Sequence, residues 1–450
     1  MLAPVESPSR RSLHDMPHPG LRGTRSNRMG WHERWLLISV AVWVLIGAGS
    51  GHAGGFYNRG QSVTALGSAF AGSAVLIDDV STIFFNPAGL TTLNGAQFAA
   101  QANLFLQDLR LSNSGSILAD GTAVTGSNGG NPFDPIGVPA FYAAYPVIDR
   151  RLWVGFGLSA PFGLGEQYRD GWFGRYSSIE ADLRVLNATP TVAWAVTNWL
   201  SLGFGLDIQR SAATLSNAVL LAPGAEAFAE VKADVWDLGW NAGILIRPWP
   251  GARLGASFRS GINRDLKGSV RTTVAGATQA VEPVQLRIDT PDIMTVSFGQ
   301  QLTDRLTLLA GVEWSGWSTF EDVRVRRVGG PDAVTEHHYR NTFALSVGGQ
   351  YEVTDAWTLR AGFLFDRTPT VDAFRETAVP EGNRYALAGG VTYRVSPSLT
   401  IDAAIAHFFM DTATIDVRRP TLDPTVPFAN IKAKADWNIT VLSAGIRYKF

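Results

Sequence analysis

Residues that could carry out acid–base or metal chemistry are few in this chain. Only seven of the 450 residues are histidine, and only His337, His338 and His407 follow the first 53 residues. The pair His337–His338 lies beside Glu336 at the edge of a polar segment, where a solvated loop is a simpler interpretation than a metal site. Cysteine is absent, which excludes disulfides and thiolate sites. We therefore expect no metal and no cofactor.

Enzyme motifs are absent or misplaced. The stretch GFGLSA, residues 155–160, matches the loose G-x-G-x-x-[GA] pattern of dinucleotide sites, but it lies within a strand pattern and Pro161 follows it. No G-x-S-x-G nucleophile elbow occurs. A lipase on a lipid-facing surface would need a serine and a histidine together, and the only histidine in a predicted strand is His407. We therefore expect that this protein is not an enzyme. The net charge of −1 gives no general case for nucleic acid.

The final residues, ITVLSAGIRYKF, indicate the kind of element that builds the chain. Every second residue up to Phe450 is apolar or small, and this period of two predicts a strand. In a soluble sheet the apolar side would face a core, whereas in a membrane barrel it would face lipid. Aromatic residues at 11% and 47 glycines suit a chain of many strands and turns.

A polar turn followed by an alternating strand recurs along the chain. It begins at Asp149, Thr197, Pro250, Thr303, Thr354 and Ser396. Each turn also follows an alternating run, so these six hairpins predict twelve strands, and runs near 95–107 and 434–450 add one at each end. Longer Gly-, Asn-, Asp- and Pro-rich segments, such as 111–137, 261–281 and 412–432, read as loops.

The fold predicted from this count is all-β: a 14-stranded antiparallel transmembrane β-barrel with short turns on one side and long loops on the other. The alternatives are a soluble β-sandwich and a propeller, but a propeller has four strands per repeat and not two. In the barrel, Tyr448 and Phe450 face lipid at the periplasmic rim, and Arg447 and Lys449 face the lumen.

The N-terminal region predicts export. Arg34 precedes an uncharged apolar run, residues 35–49, and Ala53 ends a small-residue cleavage pattern. A membrane anchor is the alternative, but this run of 15 residues falls short of the ~20 that span a bilayer. We predict a signal peptide over residues 1–53 and a location in the bacterial outer membrane.

The N-terminal region contains two further predicted segments. Residues 1–28 are unlike the compact basic start of a signal peptide, so they are interpreted as a mis-assigned start with Met29 as initiator. Residues 54–93 do not alternate, are dense in small residues that permit close packing, and contain a helix-capping Asn-Pro pair. They form either an ordinary packed arm or a mainly helical hatch that plugs the lumen of a barrel spanning 94–450.

Several stretches together resemble one known family. They are GGFYNRGQSVTALGSAFAGSAVLIDDVSTIFFNPAGL, SAPFGLGEQYRDGWFGRY, LGWNAGILIRP, LGASFRSGINRDLKGS, TPDIMTVSFGQQLTDRLTLLAGVEWSGWSTFEDVRV, WTLRAGFLFDRTPT, EGNRYALAGGVTYRVS and the C-terminal strand. In this order they resemble the outer-membrane long-chain fatty-acid and hydrocarbon transporters of the FadL/TodX type. The resemblance implies a monomeric 14-stranded barrel, a hatch with an Asn-Pro-Ala motif, and passive uptake of hydrophobic molecules that leave sideways through the wall.

The resemblance also implies plug residues. These are Asn86, Pro87 and Ala88, which match the motif, and Phe56, which corresponds to an apolar residue against the ligand pocket. The sequence departs from the family prototype at Pro161, where the interrupted third strand of the prototype has asparagine. The third and fourth outer loops, about 213–232 and 272–282, look shorter, so a capture groove between them is expected to be reduced.

Pro161 predicts a lateral opening in the third strand. Proline has no amide to give the ladder, and lipid tolerates unpaired backbone only where protein or a cavity covers it. The strand is therefore expected to bend inward and leave a gap, although Pro161 could instead simply end the strand. The residues of this predicted opening are Gly157, Ser159, Ala160, Pro161 and Gly163.

The loop predicted over 213–232 contains NAVLLAPGAEAF, which is apolar for a solvent-facing segment. Its candidate ligand-capture residues are Val219, Leu220, Leu221 and Phe228. Packing of these side chains against other loops is the alternative.

The predicted function is passive uptake of long-chain fatty acids or of aromatic or aliphatic hydrocarbons. A general diffusion porin for small hydrophilic solutes is the alternative, and it would have charged rings and no plug. The expected partners are the hydrophobic ligand, outer-membrane lipid and lipopolysaccharide. The barrel-assembly machinery is expected to bind through the strand that ends at Phe450. We expect no nucleic-acid partner, and we expect the barrel to be a monomer.

Overall fold

The structure, a computed structural model, describes residues 55–222, 224–328, 330–420 and 427–450. The predicted signal peptide, residues 1–53, lies outside the described residues. Within them, twenty antiparallel strands join one sheet. These are β1 (Gln97–Asn113), β2 (Ile117–Leu118), β3 (Ile136–Ile148), β4 (Leu152–Gln167), β5 (Glu180–Ala195), β6 (Leu200–Ala222), β7 (Ala225–Ile246), β8 (Ala252–Arg259), β9 (Asp265–Val274), β10 (Ala277–Arg287), β11 (Ile293–Gln301), β12 (Leu306–Ser315), β13 (Asp322–Arg327), β14 (Ala333–Glu336), β15 (Thr342–Glu352), β16 (Trp357–Asp366), β17 (Arg384–Arg394), β18 (Leu399–Met410), β19 (Ala413–Pro420) and β20 (Pro427–Lys449).

Helical structure in the described residues is short. The α-helices are Val63–Gly67 and Thr82–Phe85, and the 3₁₀-helices are Ser73–Val75, Pro87–Thr92, Trp317–Thr319 and Asp372–Phe374. None of the described helices is long and apolar enough to cross a membrane.

Fourteen of the strands close into a barrel, which confirms the predicted fold. Their order around the wall is β1, β3, β4, β5, β6, β7, β8, β11, β12, β15, β16, β17, β18 and β20. The barrel closes where β20 pairs with β1, from Lys449 opposite Gln97 to Ala433 opposite Asn113. A closed sheet leaves no unpaired edge in lipid.

The remaining strands extend the wall beyond the long-loop end. β9, β10, β13 and β14 follow β7 in a small sheet, and β19 and β2 pair with β20. The segments 111–137, 261–281 and 412–432, which the composition predicted as loops, therefore contain strands. The prediction was wrong because the Gly, Asn and Pro residues of these segments mark turns, and the short strands between the turns, such as β9, β10 and β19, were grouped with them.

Alternate side chains along each strand face the lipid and the lumen. On β20, Leu442, Ile446 and Tyr448 are exposed on the outer surface, while Arg447 points inward and its Nε lies 2.7 Å from Asp402 Oδ2. Exposed aromatic residues cluster near the tight turns, as in the interfacial girdles of membrane barrels. They are Tyr145, Trp199, Trp249, Tyr351, Trp357, Tyr393, Tyr448 and Phe450. The predicted orientation of the C-terminal strand is thus confirmed.

Residues 55–93 lie inside the barrel, and almost all of them are buried. Their contacts reach opposite sides of the wall. The amide of Val63 donates to Gln101 Oε1 on β1 (3.0 Å), and the amide of Ala74 donates to Ser297 Oγ on β11 (3.1 Å). The hydroxyl of Thr91 donates to Ser201 Oγ on β6 (2.7 Å). We call residues 55–93 the lumen segment.

The Asn-Pro-Ala turn of the lumen segment packs against wall positions that have no side chain. Asn86 caps the 3₁₀-helix that Pro87 begins, because its Oδ1 accepts the amide of Ala88 (3.1 Å). Its Nδ2 also donates to a carbonyl oxygen of β7, that of Ile244 (3.0 Å). A Cβ atom at Gly243, also on β7, would overlap Asn86 Oδ1. The turn therefore requires glycine at this wall position.

Replacing Gly243 with leucine is expected to expel the Asn-Pro-Ala turn, since the new side chain takes the space of Asn86. Loss of the lumen segment would open a water-filled path, so liposomes containing the variant should swell faster in small hydrophilic solutes than those containing the wild-type protein. Ala242→Leu, on the lipid-facing side of the same strand, is the matched control. Equal swelling rates for both folded variants and the wild type would contradict a plugging role of the lumen segment.

Candidate functional site

A buried ion-pair cluster ties the start of the lumen segment to the wall. Arg59 Nε lies 2.7 Å from Glu313 Oε1 on β12, and its Nη1 lies 2.7 Å from Asp366 Oδ2 on β16. Arg384 on β17 shares Asp366 at 2.7 Å. Burial opposes the charge on Arg59, but Asp366 and Glu313 outweigh it and raise the pKa of Arg59 above its ordinary value. Removing one partner of such a pair costs about 3–5 kcal/mol.

An aromatic cluster surrounds Phe56 at the outer end of the lumen. The ring of Phe56 meets Trp317 edge-on at 4.8 Å between centroids, Phe320 at 5.2 Å and Phe162 at 6.0 Å. The preceding amide, that of Gly55, donates to Glu381 Oε1 (2.8 Å). These rings are buried against one another beside β4, and aromatic side chains of this kind are suited to contact with an apolar ligand. We call Phe56, Phe162, Trp317 and Phe320 the aromatic cluster.

Strand β4 leaves its neighbour β3 halfway along its length. In the described residues the β3–β4 ladder ends at Phe141 opposite Leu158, although β3 continues to Ile136, which pairs only with β1. On its other side, β4 pairs with β5 through a register shift between Ser159 and Phe162. A shift of this kind is a β-bulge, which bends the strand that contains it.

The lumen segment takes the place of β3 as the partner of β4. The amide of Asn58 donates to the carbonyl of Pro161 (2.7 Å), and the amide of Gly163 donates to the carbonyl of Phe56 (2.9 Å). The side chain of Gln61 donates to the carbonyl of Ala160 (2.8 Å). The backbone that β3 does not pair is thus hydrogen-bonded inside the barrel, as lipid requires.

The residues predicted for a lateral opening occupy different positions along this bend. Ser159 and Ala160 are buried at the break itself, beside the small β3 residue Ala140. Gly157 instead faces the lumen, since a Cβ atom there would lie 3.1 Å from Ile83 of the lumen segment. A bulky residue at Gly157 would therefore press on the lumen segment and would not test the break alone.

Arg264, which sequence analysis did not single out, lies above the bend. Its guanidinium carbon is 5.8 Å from the centroid of the Phe162 ring. Nη1 donates to Thr290 Oγ1 (2.8 Å), Nη2 donates to Gln209, and Nε lies 3.8 Å from the Asp237 carboxylate, beyond hydrogen-bond distance. Burial lowers the pKa of Arg264 to about 10. A buried cation held mainly by neutral groups is suited to bind an anionic group.

The predicted capture loop is a hairpin. The segment 213–232 consists of the outer ends of β6 and β7, with Ala218 opposite Phe228 and Val219 opposite Ala227. Leu220 and Phe228 are half-buried against the core, whereas Leu221 is exposed. The prediction of a loop was wrong because β6 continues to Ala222 and β7 begins at Ala225. Contact of these side chains with a ligand stays a prediction.

The predicted histidine pair is divided between two environments. His338 is partly exposed, but His337 is buried and stacks on Phe320 at 4.8 Å. The solvated-loop interpretation was therefore wrong for His337, whose pKa is lowered by burial. Among the described residues, no group of His, Asp and Glu side chains could hold a metal ion.

Comparison with known proteins gives several curated relatives that match most of the chain. Outer membrane protein P1 of Haemophilus influenzae is 26% identical over 91% of this chain and 98% of its own length. The long-chain fatty acid transport protein of Salmonella typhi is 25% identical over 82% of this chain and 90% of its own length.

Solved structures share the fold. A Pseudomonas aeruginosa FadL homologue superposes with a TM-score of 0.84 at 24% identity, over 88% of this chain and 100% of its own. The Ralstonia pickettii toluene transporter TbuX gives 0.64 at 20% identity, over 88% and 99%. A family model described as "Outer membrane protein transport protein (OMPP1/FadL/TodX)" matches residues 44–450. The chain therefore belongs to the OMPP1/FadL/TodX family of outer-membrane transport proteins.

Proposed function

We propose that this barrel takes up long-chain fatty acids passively and releases them sideways through the break between β3 and β4. The observation that carries the proposal is the exchange of partners by β4, whose outer half hydrogen-bonds to the lumen segment and not to β3. Beyond the last pair of the β3–β4 ladder, Ala140 of β3 and Ser159 and Ala160 of β4 are small residues. Small side chains leave the least obstruction for an extended acyl chain.

A lateral route is energetically sensible for an apolar ligand. Each methylene transferred from water to an apolar phase gains ~0.8 kcal/mol. A chain that passes from the aromatic cluster through the wall enters the hydrocarbon of the membrane and never crosses the polar periplasmic end. The lumen segment, held there by Arg59, acts in this proposal as the hatch that closes the axial path.

The proposal favours a fatty acid because of Arg264. A hydrocarbon would need only the aromatic cluster, whereas a carboxylate gains charge-assisted hydrogen bonds from a buried guanidinium. The relative from Salmonella typhi is named as a long-chain fatty acid transport protein, which agrees with this choice. Transport of this kind requires no catalytic residue, and we propose a monomeric barrel that the assembly machinery recognises through the strand ending at Phe450.

A general diffusion porin is a weaker alternative. Such a channel would need a continuous water-filled lumen. Here the lumen segment is buried against glycine positions of the wall, including Gly243.

Closing the break should stop uptake. We expect Ala160→Phe to abolish uptake of a long-chain fatty acid by cells that lack another transporter, because the ring fills the space between β3 and β4. Binding of the fatty acid to the purified barrel should persist. Ala188→Phe, on the lipid-facing side of neighbouring β5, is the matched control and should leave uptake unchanged. Uptake by folded Ala160→Phe at the wild-type rate would refute the lateral route at this strand.

Replacing Arg264 with an uncharged residue should weaken the binding of acids but not of uncharged ligands. Since hydrogen bonds to charged groups contribute about 1.5–3 kcal/mol, Arg264→Met should weaken binding of a fatty acid by roughly tenfold or more. Binding of the alcohol of the same chain length should change little. Arg110, an exposed cation of β1, changed to methionine, serves as the control for a general loss of charge. A parallel loss of acid and alcohol affinity would show that Arg264 has only a packing role.

A further inference from the structure

The outer surface of β5, β6, β7 and β9 carries a grid of charged side chains above the lipid-facing rows. Because the strands are in register, Arg184, Ala212, Asp234 and Lys267 form one row across the four strands. Asp182, Thr214, Lys232 and Ser269 form the next row outward. These side chains and Arg210 line a groove of about 440 Å³. We call it the charged groove.

The floor of the charged groove is made by small residues, and cations surround it. Ala212, Thr214 and Ser269 leave space between strands, and the groove is lined by four basic residues, Arg184, Arg210, Lys232 and Lys267, and three acidic ones, Glu180, Asp182 and Asp234. Within the described residues Lys267 has no ion-pair partner. The three other cations have one acidic partner each: Arg184–Asp182 at 2.8 Å, Arg210–Asp234 at 3.4 Å and Lys232–Glu230 at 2.8 Å. Exposed ion pairs of this kind are weak, so the cations can exchange these partners for another anion.

The charged groove lies where lipid headgroups would be. Arg210 is directly opposite Trp236, which is two-thirds exposed at the end of the apolar row on β7. Along β6, the outward positions preceding Arg210 are Ile208, Leu206 and Phe204, which face lipid. Tryptophan at such a boundary marks the interface between hydrocarbon and water.

A separate apolar groove lies on β6 and β7, on the lipid-facing side of Arg210 and Trp236. It has a volume of about 450 Å³ and is lined by Phe204, Leu206, Leu238, Gly239 and Trp240. Leu206 stands four residues before Arg210 on β6, a distance of roughly 13 Å at the rise of a strand. The wall therefore offers charge and an apolar channel at the spacing of the headgroup and acyl chains of an amphiphile.

From this arrangement we propose that the wall at β5–β7 binds a phosphorylated glycolipid of the outer leaflet, with its phosphates in the charged groove and an acyl chain in the apolar groove. Guanidinium and ammonium groups are suited to phosphate oxygens, and several cations converge here on one concave surface. The groove faces sideways from the barrel wall, so its occupant is a neighbour in the plane of the membrane. This site is separate from the lumen and does not depend on the transported ligand.

The site is tested by titrating the purified, folded barrel with bis-phosphorylated lipid A, in the presence of a chelator that removes bridging metal ions. We expect Lys232→Gln combined with Lys267→Gln to weaken binding about tenfold or more, as two interfacial basic residues are removed. The control removes two exposed cations from the opposite wall, Arg110→Gln with Lys434→Gln, and its affinity should stay within about twofold of the wild type.

Two further ligands make the result specific. Wild-type protein should bind monophosphorylated lipid A more weakly than the bis-phosphorylated form, and the Lys232/Lys267 variant should lose this preference. Phosphatidylglycerol should not distinguish the two variants. Unchanged affinity of the Lys232/Lys267 variant would overturn the proposal. So would an equal loss in the control or an equal loss for phosphatidylglycerol, because either would indicate general attraction of anions.

Discussion

The backbone of β4 has to be hydrogen-bonded on both sides, and the lumen segment supplies what β3 does not. In lipid an unpaired peptide group costs several kcal/mol, so a barrel wall can be interrupted only where protein covers the exposed groups. Asn58, Gln61 and the carbonyl of Phe56 provide that cover. The interrupted wall and the lumen segment are therefore joined by hydrogen bonds into a single arrangement.

Several other features hold the lumen segment in the position that β4 needs. Arg59 is fixed by two carboxylates of the wall, and the Asn-Pro-Ala turn occupies space that glycine leaves free at Gly243. The aromatic cluster packs Phe56 against Phe162, which is part of the bend. A ligand that replaced contacts within the aromatic cluster would thus act directly on the part of β4 that borders the break. In the proposed mechanism, one short stretch of chain connects ligand binding in the lumen to opening of the wall.

Much of the fold could be predicted from sequence because a membrane barrel imposes a period of two. The repeated polar turns indicated fourteen strands, and Pro161 indicated a defect in one ladder. The groups that hydrogen-bond to the interrupted part of β4 could not be predicted. Asn58 and Gln61 are about one hundred residues away in the sequence, and no local pattern marks them. The hairpin at 213–232 was missed because the segment was interpreted, from the family resemblance, as an outer loop. Glycine at lumen-facing positions such as Gly243 was a usable signal, because it indicates backbone packed against the wall.

The central claim is that ligand leaves through the wall while the lumen segment stays in place. A reversible tether tests it: a Cβ atom at Gly67 would lie 3.6 Å from Cβ of Arg360 on β16, within the range of a disulfide. The chain has no other cysteine, so Gly67→Cys with Arg360→Cys can form only this bond. Fatty-acid uptake should be the same for the oxidised and reduced forms, and the two single-cysteine variants should not respond to oxidant. Uptake that stops on oxidation of the double variant and returns on reduction would contradict the account, because the lumen segment would then have to move out of the path.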